Sequence, residues 1–267
     1  MDILLIDNKT KHFEEIKTLA KSNGASVKII KCKNIDLINP EDFDFIILSG
    51  GSRYSVMGNQ KKYVKEIEMI KNTKTPIFGI CLGFQLIIKA FEGTLETFNL
   101  GNRTQGIIEI KKKKQDDIFK NIQNFKVYES HRWRLKKMPK NFINLAESRD
   151  GVEIIKHKKK IIYGVQFHPE VFLNKTCGKQ IFDNFMQIVC EKGHPLKREK
   201  GRPLRRRERS DQRKRSDLVK RFVFNFQRKN YFNFVKLFFI LCFILLPNFV
   251  FANNALDIVI NEIAWMG

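Results

Sequence analysis

Residues 76 to 85, PIFGICLGFQ, carry one apolar run directly into another, and that junction constrains the fold more than any other stretch of the chain. The run after Pro76 is short enough to read as a buried strand, whereas the run from Leu82 has the length and composition of a helix. Gly79 and Gly83 bracket Cys81 between them. A strand that turns at once into a helix strains the backbone and brings neighbouring segments close, so small residues are required on both sides of the turn. The chain must therefore supply a sheet for the strand and a second layer for the helix.

The surrounding sequence supplies both. DILLID (2–7) reads as a buried strand and is followed by a helical pattern through Phe13, Ile16, Leu19 and Ala20 that stops at Asn23 and Gly24. VKIIKC and FDFIILSGG give two more strands, and Tyr63, Ile67 and Ile70 repeat the helical period before Pro76. This alternation predicts an α/β fold, an open and mostly parallel sheet with helices on both faces, in which ligands gather at the carboxyl ends of strands. After Gly93 the pieces become shorter and strand-like (GIIEIKK, FKVYESH, INLAES, VEIIKH, IIYGVQF), and KQIFDNFMQIVC closes the domain as a helix. The folded domain is placed at residues 1–190.

Gly79, Cys81 and Gly83 form G-x-C-x-G, the nucleophile-elbow pattern with cysteine in place of serine. Cys81 at a helix N-terminus meets unsatisfied N–H groups and the positive end of the helix dipole, which favour thiolate, and the turn is expected to expose it. The amide of Leu82 and the backbone of Gly51 in SGGS are candidate donors to an oxyanion. Further on, YGVQFHPEV ends a continuous apolar strand in His168, Pro169 and Glu170. An imidazole there can serve as general base and acid, and a carboxylate two residues on can orient it. Cys81, His168 and Glu170 thus fill the three roles of a nucleophile triad.

GICLGFQLI and GVQFHPEV, together with FIILSGGS and PIFGIC, resemble the class I glutamine amidotransferases, also called triad glutaminases. The resemblance implies hydrolysis of glutamine's side-chain amide through a thioester, with the ammonia passed to a synthetase and no metal or organic cofactor. Carried over by position, it makes Cys81 the nucleophile, His168 the base and acid, Glu170 its orienter, and Gly51 with Leu82 the oxyanion hole. Gln85, Gly50, Ser130 and His131 become substrate-binding residues. The run from DIFKNIQ to FHPEV looks most like the separate glutaminase subunit of two-subunit GMP synthases, which implies a role in purine nucleotide biosynthesis. Two positions depart from that pattern: Trp133 stands where an aspartate is frequent, and Phe84 where His or Met is common. Neither a G-x-x-x-x-G-K-[ST] loop nor a pyrophosphatase loop is present, so an ATP-dependent acceptor would be a separate chain. The rival reading is a free-standing hydrolase of γ-glutamyl amides or peptides on the same fold.

The formal charge of +22 divides into about +12 for residues 1–190 and about +10 for the much shorter remainder. In the domain the lysines are scattered, as in KKKK (111–114), without the interleaved aromatics of a nucleic-acid module, and a solvated surface is the expectation. Five cysteines without metal-ligand spacing point to a reducing compartment, hence the cytoplasm. Cys32 and Cys190 read as packing thiols and Cys177 as a surface residue. Residues 191–231 read as a basic disordered linker, 232–252 as a hydrophobic signal-like or membrane segment, and 253–267 as a short truncated segment. The order of basic, apolar and small-residue regions is that of a secretory signal, and the preferred reading is the start of a neighbouring gene joined to this one. The alternatives are a membrane anchor and nucleic-acid binding by the arginines.

Overall fold

The computed structural model describes residues 1–98 and 104–192. The expected linker, hydrophobic segment and terminal segment therefore lie outside the described residues, apart from Glu191 and Lys192, which finish the last helix. Among the described residues no helix is long and apolar enough to cross a membrane.

The elements run β1 (Asp2–Asp7), α1 (Phe13–Lys21), β2 (Ser26–Lys31), β3 (Phe45–Leu48), α2 (Val64–Asn72), β4 (Ile77–Ile80), α3 (Leu82–Ala90), β5 (Thr94–Thr97), β6 (Thr104–Glu109), β7 (Lys111–Lys112), β8 (Lys126–His131), β9 (Trp133–Lys137), β10 (Phe142–Ser148), β11 (Gly151–His157), β12 (Ile162–Val165) and α4 (Gly178–Lys192). One eight-stranded sheet has the order β2-β1-β3-β4-β12-β11-β10-β7. The five strands from β2 to β12 are parallel, and β11, β10 and β7 continue the sheet antiparallel. β5 pairs with β9 and β6 with β8 outside that sheet.

Both faces of the parallel strands are covered, which is why β3 and β4 are continuous apolar runs rather than alternating ones. Ile3, Leu5, Phe45 and Phe78 face α1 and α4, whereas Leu4, Ile6, Ile46 and Ile77 face α2 and α3. Phe78 and Phe185 meet at a tilt of 45° with 4.9 Å between ring centroids, and Phe45 meets Phe185 edge-on at 5.3 Å. Such pairs add about 1 kcal/mol each beyond the apolar area they bury.

The parallel half follows the sequence pattern closely. The antiparallel part adds β5 and β9, which the apolar pattern did not reveal because TLET and WRLKK each offer few residues to a core. The cysteine expectations are partly reversed: Cys177 is buried and Cys190 exposed. Cys177 precedes α4 and is drawn in by the bond from its N–H to the Lys126 carbonyl, whereas the phase of α4 turns Cys190 outward.

Candidate active site

Cys81 joins β4 to α3 with φ 49° and ψ −95°, a conformation that is strained for a residue with a Cβ. The Cys81 N–H donates to the Val165 carbonyl at 2.8 Å, and the Cys81 carbonyl accepts from Gln85 N–H at 3.1 Å, so the turn is pinned on both sides. The glycines are needed for space. A Cβ on Gly83 would stand 2.4 Å from the Leu48 carbonyl oxygen, and one on Gly79 would stand 2.8 Å from the backbone of Gly83. The helix start thus lies directly on β3 and β4. The thiol is not exposed as the turn alone implied: Cys81 retains only 6% of its surface, because the loops after β1, β3 and β12 close over it.

β12 lies beside β4, with Val165 opposite Ile80, so the chain leaving β12 arrives next to Cys81. Three residues on, His168 N–H donates to the Tyr128 carbonyl at 2.8 Å, which ties the turn to β8. Its Nδ1 lies 2.8 Å from Glu170 Oε1. Nδ1–H donates to that carboxylate, leaving Nε2 for the thiol. Burial pushes the imidazole pKa down, but the charge of Glu170 and the charge and hydrogen bond of Cys81 outweigh it and hold His168 well above its usual value. These neighbours favour the imidazolium form of His168.

The loop after β3 brings Gly50 and Gly51 to the same place. A Cβ on Gly50 would meet His168 Cε1 at 3.0 Å and Cys81 Cβ at 3.7 Å, and one on Gly51 would meet Leu82 Cδ2 at 2.2 Å. The two candidate oxyanion donors, Gly51 and Leu82, are therefore packed against each other. Gln85, Ser130 and His131 line the same cleft of about 320 Å³ as Cys81 and His168. His131 shows its ring to the cleft while its nitrogens face away from it: Nδ1 meets the Trp133 carbonyl at 3.0 Å, and Nε2, without a hydrogen-bond partner, lies 3.6 Å from Glu129 Oε1. Trp133 and Arg132 stand at the rim of the cleft. Phe84 points the other way, into the core, where its ring fits the space left by Gly164 of β12.

Three features went unread in the sequence. His12, in the loop after β1, puts its ring 5.2 Å from that of His168, and burial first and the His168 charge second lower its pKa. A neutral His12 does not oppose an imidazolium beside it. Its signal was position alone, since the loop after β1 is another carboxyl end of the sheet. Asn8, at the end of β1, donates its N–H to Ser49 Oγ at 2.8 Å and its Nδ2 to Glu66 Oε1 at 2.9 Å, which supports the Gly50–Gly51 loop from below. Gly178 opens α4 against Pro169, where a Cβ would be 2.4 Å from the proline carbonyl oxygen, so the helix rests on the His-Pro-Glu turn.

Residues 4–188 match the family described as Glutamine amidotransferase class-I. The chain belongs to the class I glutamine amidotransferases. Among curated relatives, the glutamine-hydrolyzing GMP synthase subunit of Methanothermobacter thermautotrophicus is 35% identical over 189 residues, covering 70% of this chain and 97% of the relative. The protein of the same description from Methanococcus vannielii is 37% identical over 191 residues, covering 70% and 96%. A crystal structure assigned to a GMP synthase subunit, from Thermoplasma acidophilum, aligns with a TM-score of 0.65 at 26% identity over 72% of this chain and 95% of that one. This amidotransferase therefore shares the α/β sheet and helices of its family, and its enzyme class is that of a glutamine amidotransferase.

Proposed function

We propose that the protein is the ammonia-producing glutaminase subunit of a two-subunit GMP synthase, working through Cys81, His168 and Glu170. The observation that carries the reading is the continuous chain from Glu170 through His168 to Cys81 at the carboxyl ends of two adjacent parallel strands. The descriptions of the GMP synthase relatives support the choice of acceptor.

In this reading the Cys81 thiolate attacks the side-chain amide carbon of glutamine. The oxygen becomes an oxyanion and is received by the N–H groups of Gly51 and Leu82. His168 then gives its proton to the leaving nitrogen, and the C–N bond breaks to release ammonia and leave a γ-glutamyl thioester on Cys81. Water, deprotonated by His168, adds to the thioester carbonyl, and collapse returns the thiolate and glutamate. Glu170 holds the imidazole in the required tautomer and stabilises its protonated form. Gln85, Gly50, Ser130 and His131 form the walls against which glutamine is held. The ammonia passes to an ATP-dependent synthetase on a separate chain in the cytoplasm.

A glutamine-like diazo-ketone tests the site. The full-length chain is expected to gain one adduct by mass, at Cys81, and the Cys81→Ala variant none. Adding the synthetase subunit of a GMP synthase with its substrates is expected to raise glutamine hydrolysis at least tenfold. No adduct in either condition would remove the glutaminase reading, while an adduct without stimulation would remove only the GMP synthase partner.

A further inference from the structure

Behind the cleft wall, three side chains that the proposed mechanism leaves without a proton-transfer role converge in the buried interior. Glu129 and His131 project from β8 on the same face, as residues two apart on a strand do, and Glu153 comes from β11. Their ligand atoms all lie within 4.8 Å of one another. Glu129 is 0% exposed, Glu153 1% and His131 4%. Both oxygens of Glu129, Oε2 of Glu153 and Nε2 of His131 have no hydrogen-bond partner, and neither carboxylate pairs with a lysine or arginine among the described residues. Among those residues, the one polar bond made by a side chain outside the cluster to either carboxylate is from Ser148 Oγ to Glu153 Oε1 at 2.9 Å.

The tautomer of His131 makes the arrangement specific. A carbonyl oxygen only accepts, so the 3.0 Å contact between Nδ1 and the Trp133 carbonyl places the proton on Nδ1. With Nδ1 holding a proton, Nε2 is the nitrogen that can bind an ion, and it lies 3.6 Å from the Glu129 oxygen. A nitrogen lone pair and two buried carboxylates facing one another call for compensating positive charge, which a shared proton or a cation can supply. A histidine that gives its second N–H to a backbone carbonyl, with a bare nitrogen turned toward carboxylates, has the outer-shell arrangement of a metal-ligating imidazole. The 3.6 Å between Nε2 and Glu129 Oε1 is close to the about 3.4 Å that separates ligand atoms around a tetrahedral ion with bonds near 2.1 Å.

We propose that Glu129, His131 and Glu153 bind a divalent first-row cation. The ligand set of two carboxylates and one imidazole suits Mn²⁺ or Zn²⁺, and the ion's charge cancels that of the two carboxylates. No metal was expected from the sequence, because Glu153 is distant from the other two in the chain and the cysteines take no part. The ion would fasten β8, which among the described residues pairs only with β6, to β11 of the main sheet. β8 also carries the Tyr128 carbonyl that holds His168, so the ion would brace the turn that bears the imidazole.

The test uses the full chain carrying Cys81→Ala, freed of metal with a chelator and titrated with Mn²⁺, which has little affinity for the remaining thiols. Loss of the free-ion electron paramagnetic resonance signal is expected to report one equivalent bound, and Glu129→Gln or Glu153→Gln is expected to weaken that binding at least tenfold. Should a glutamine variant fail to fold, the unaltered cluster remains testable, since bound Mn²⁺ must show coupling to one imidazole nitrogen by electron spin echo modulation. Absence of stoichiometric binding, binding indifferent to both substitutions, or a bound ion with no nitrogen coupling would each overturn the proposal and leave a shared proton as the bridging charge.

Discussion

The parallel strands hold Cys81 by filling space, whereas β8 and β11 hold the opposite wall of the cleft through buried polar groups. Around Cys81, added atoms at Gly51, Gly79 or Gly83 collide with the neighbouring segment, and β3 and β4 are buried along their whole length. Around Ser130 and His131 the interior is different. Glu129, His131 and Glu153 crowd together with unpaired atoms, and Gly106, opposite Glu129 on β6, has open space around it. Position on the first side is set by steric exclusion, which hardly responds to pH. On the second side it is set by charge, which does.

His168 stands between the two regions, since it follows β12 but is held through the carbonyl of Tyr128 on β8. The largest effect is expected here. Glu170→Gln keeps an acceptor for Nδ1–H but removes the negative charge that helps hold His168 above its usual pKa. The kcat for glutamine should fall about a thousandfold with little change in KM. In a Cys81→Ala background, the His168 titration followed by NMR should move to lower pH. An unchanged titration would mean that the carboxylate only orients the ring.

The sequence announced the sterically set region, and of the other it indicated only Ser130 and His131, through the family resemblance. Glycine at 79 and 83 around a cysteine is a local pattern that can be read in a few adjacent residues, although the segment that crowds Gly83, at Leu48, is distant in the chain. His168 and Glu170 were legible for the same reason, lying two residues apart after an apolar strand. Glu129 and Glu153 read as ordinary charged residues of strands, and nothing local indicated that β8 would leave the main sheet while its side chains met β11. His12 and Asn8 were missed because their roles depend on contacts with His168 and Glu66. The exposure expected of Cys81 was wrong because the loops that cover it come from three other strands.

One buried charge breaks the division, since Glu66 of α2 lies within the sterically packed half. Its Oε1 accepts from Asn8, its Oε2 has no partner, and burial, against the smaller opposing pull of Asn8, raises its pKa to about 7 from 4.5. Below pH 4.5 the group is protonated whether the chain is folded or not. As pH rises toward 7 the folded state keeps a proton that the unfolded state has released, so stability falls, and above 7 the loss is complete at about 3 kcal/mol. Glu66→Gln removes this dependence. The stability of the variant relative to the unaltered chain, from urea unfolding, should rise by about 3 kcal/mol between pH 4.5 and 8. A flat difference would show Glu66 to be ionised or wet in the folded protein.

A pair of alanine substitutions separates space from backbone conformation at smaller energies. Gly83→Ala gains helix propensity of about 1 kcal/mol but sets a Cβ against the Leu48 carbonyl oxygen, so a net loss of about 2 kcal/mol is expected. Activity should fall further than stability, because α3 can relieve the clash only by carrying Leu82 and Cys81 away from Gly51. Gly106→Ala meets nothing within 4 Å, and its cost, about 1 kcal/mol, arises from a φ of 141° that disfavours a side chain. That loss should be the same at every pH and leave labelling of Cys81 by the diazo-ketone unaltered. If Gly106→Ala slowed labelling as much as Gly83→Ala does, the β6–β8 pair would be holding Cys81 as tightly as β3 and β4, and the contrast between the two regions would not stand.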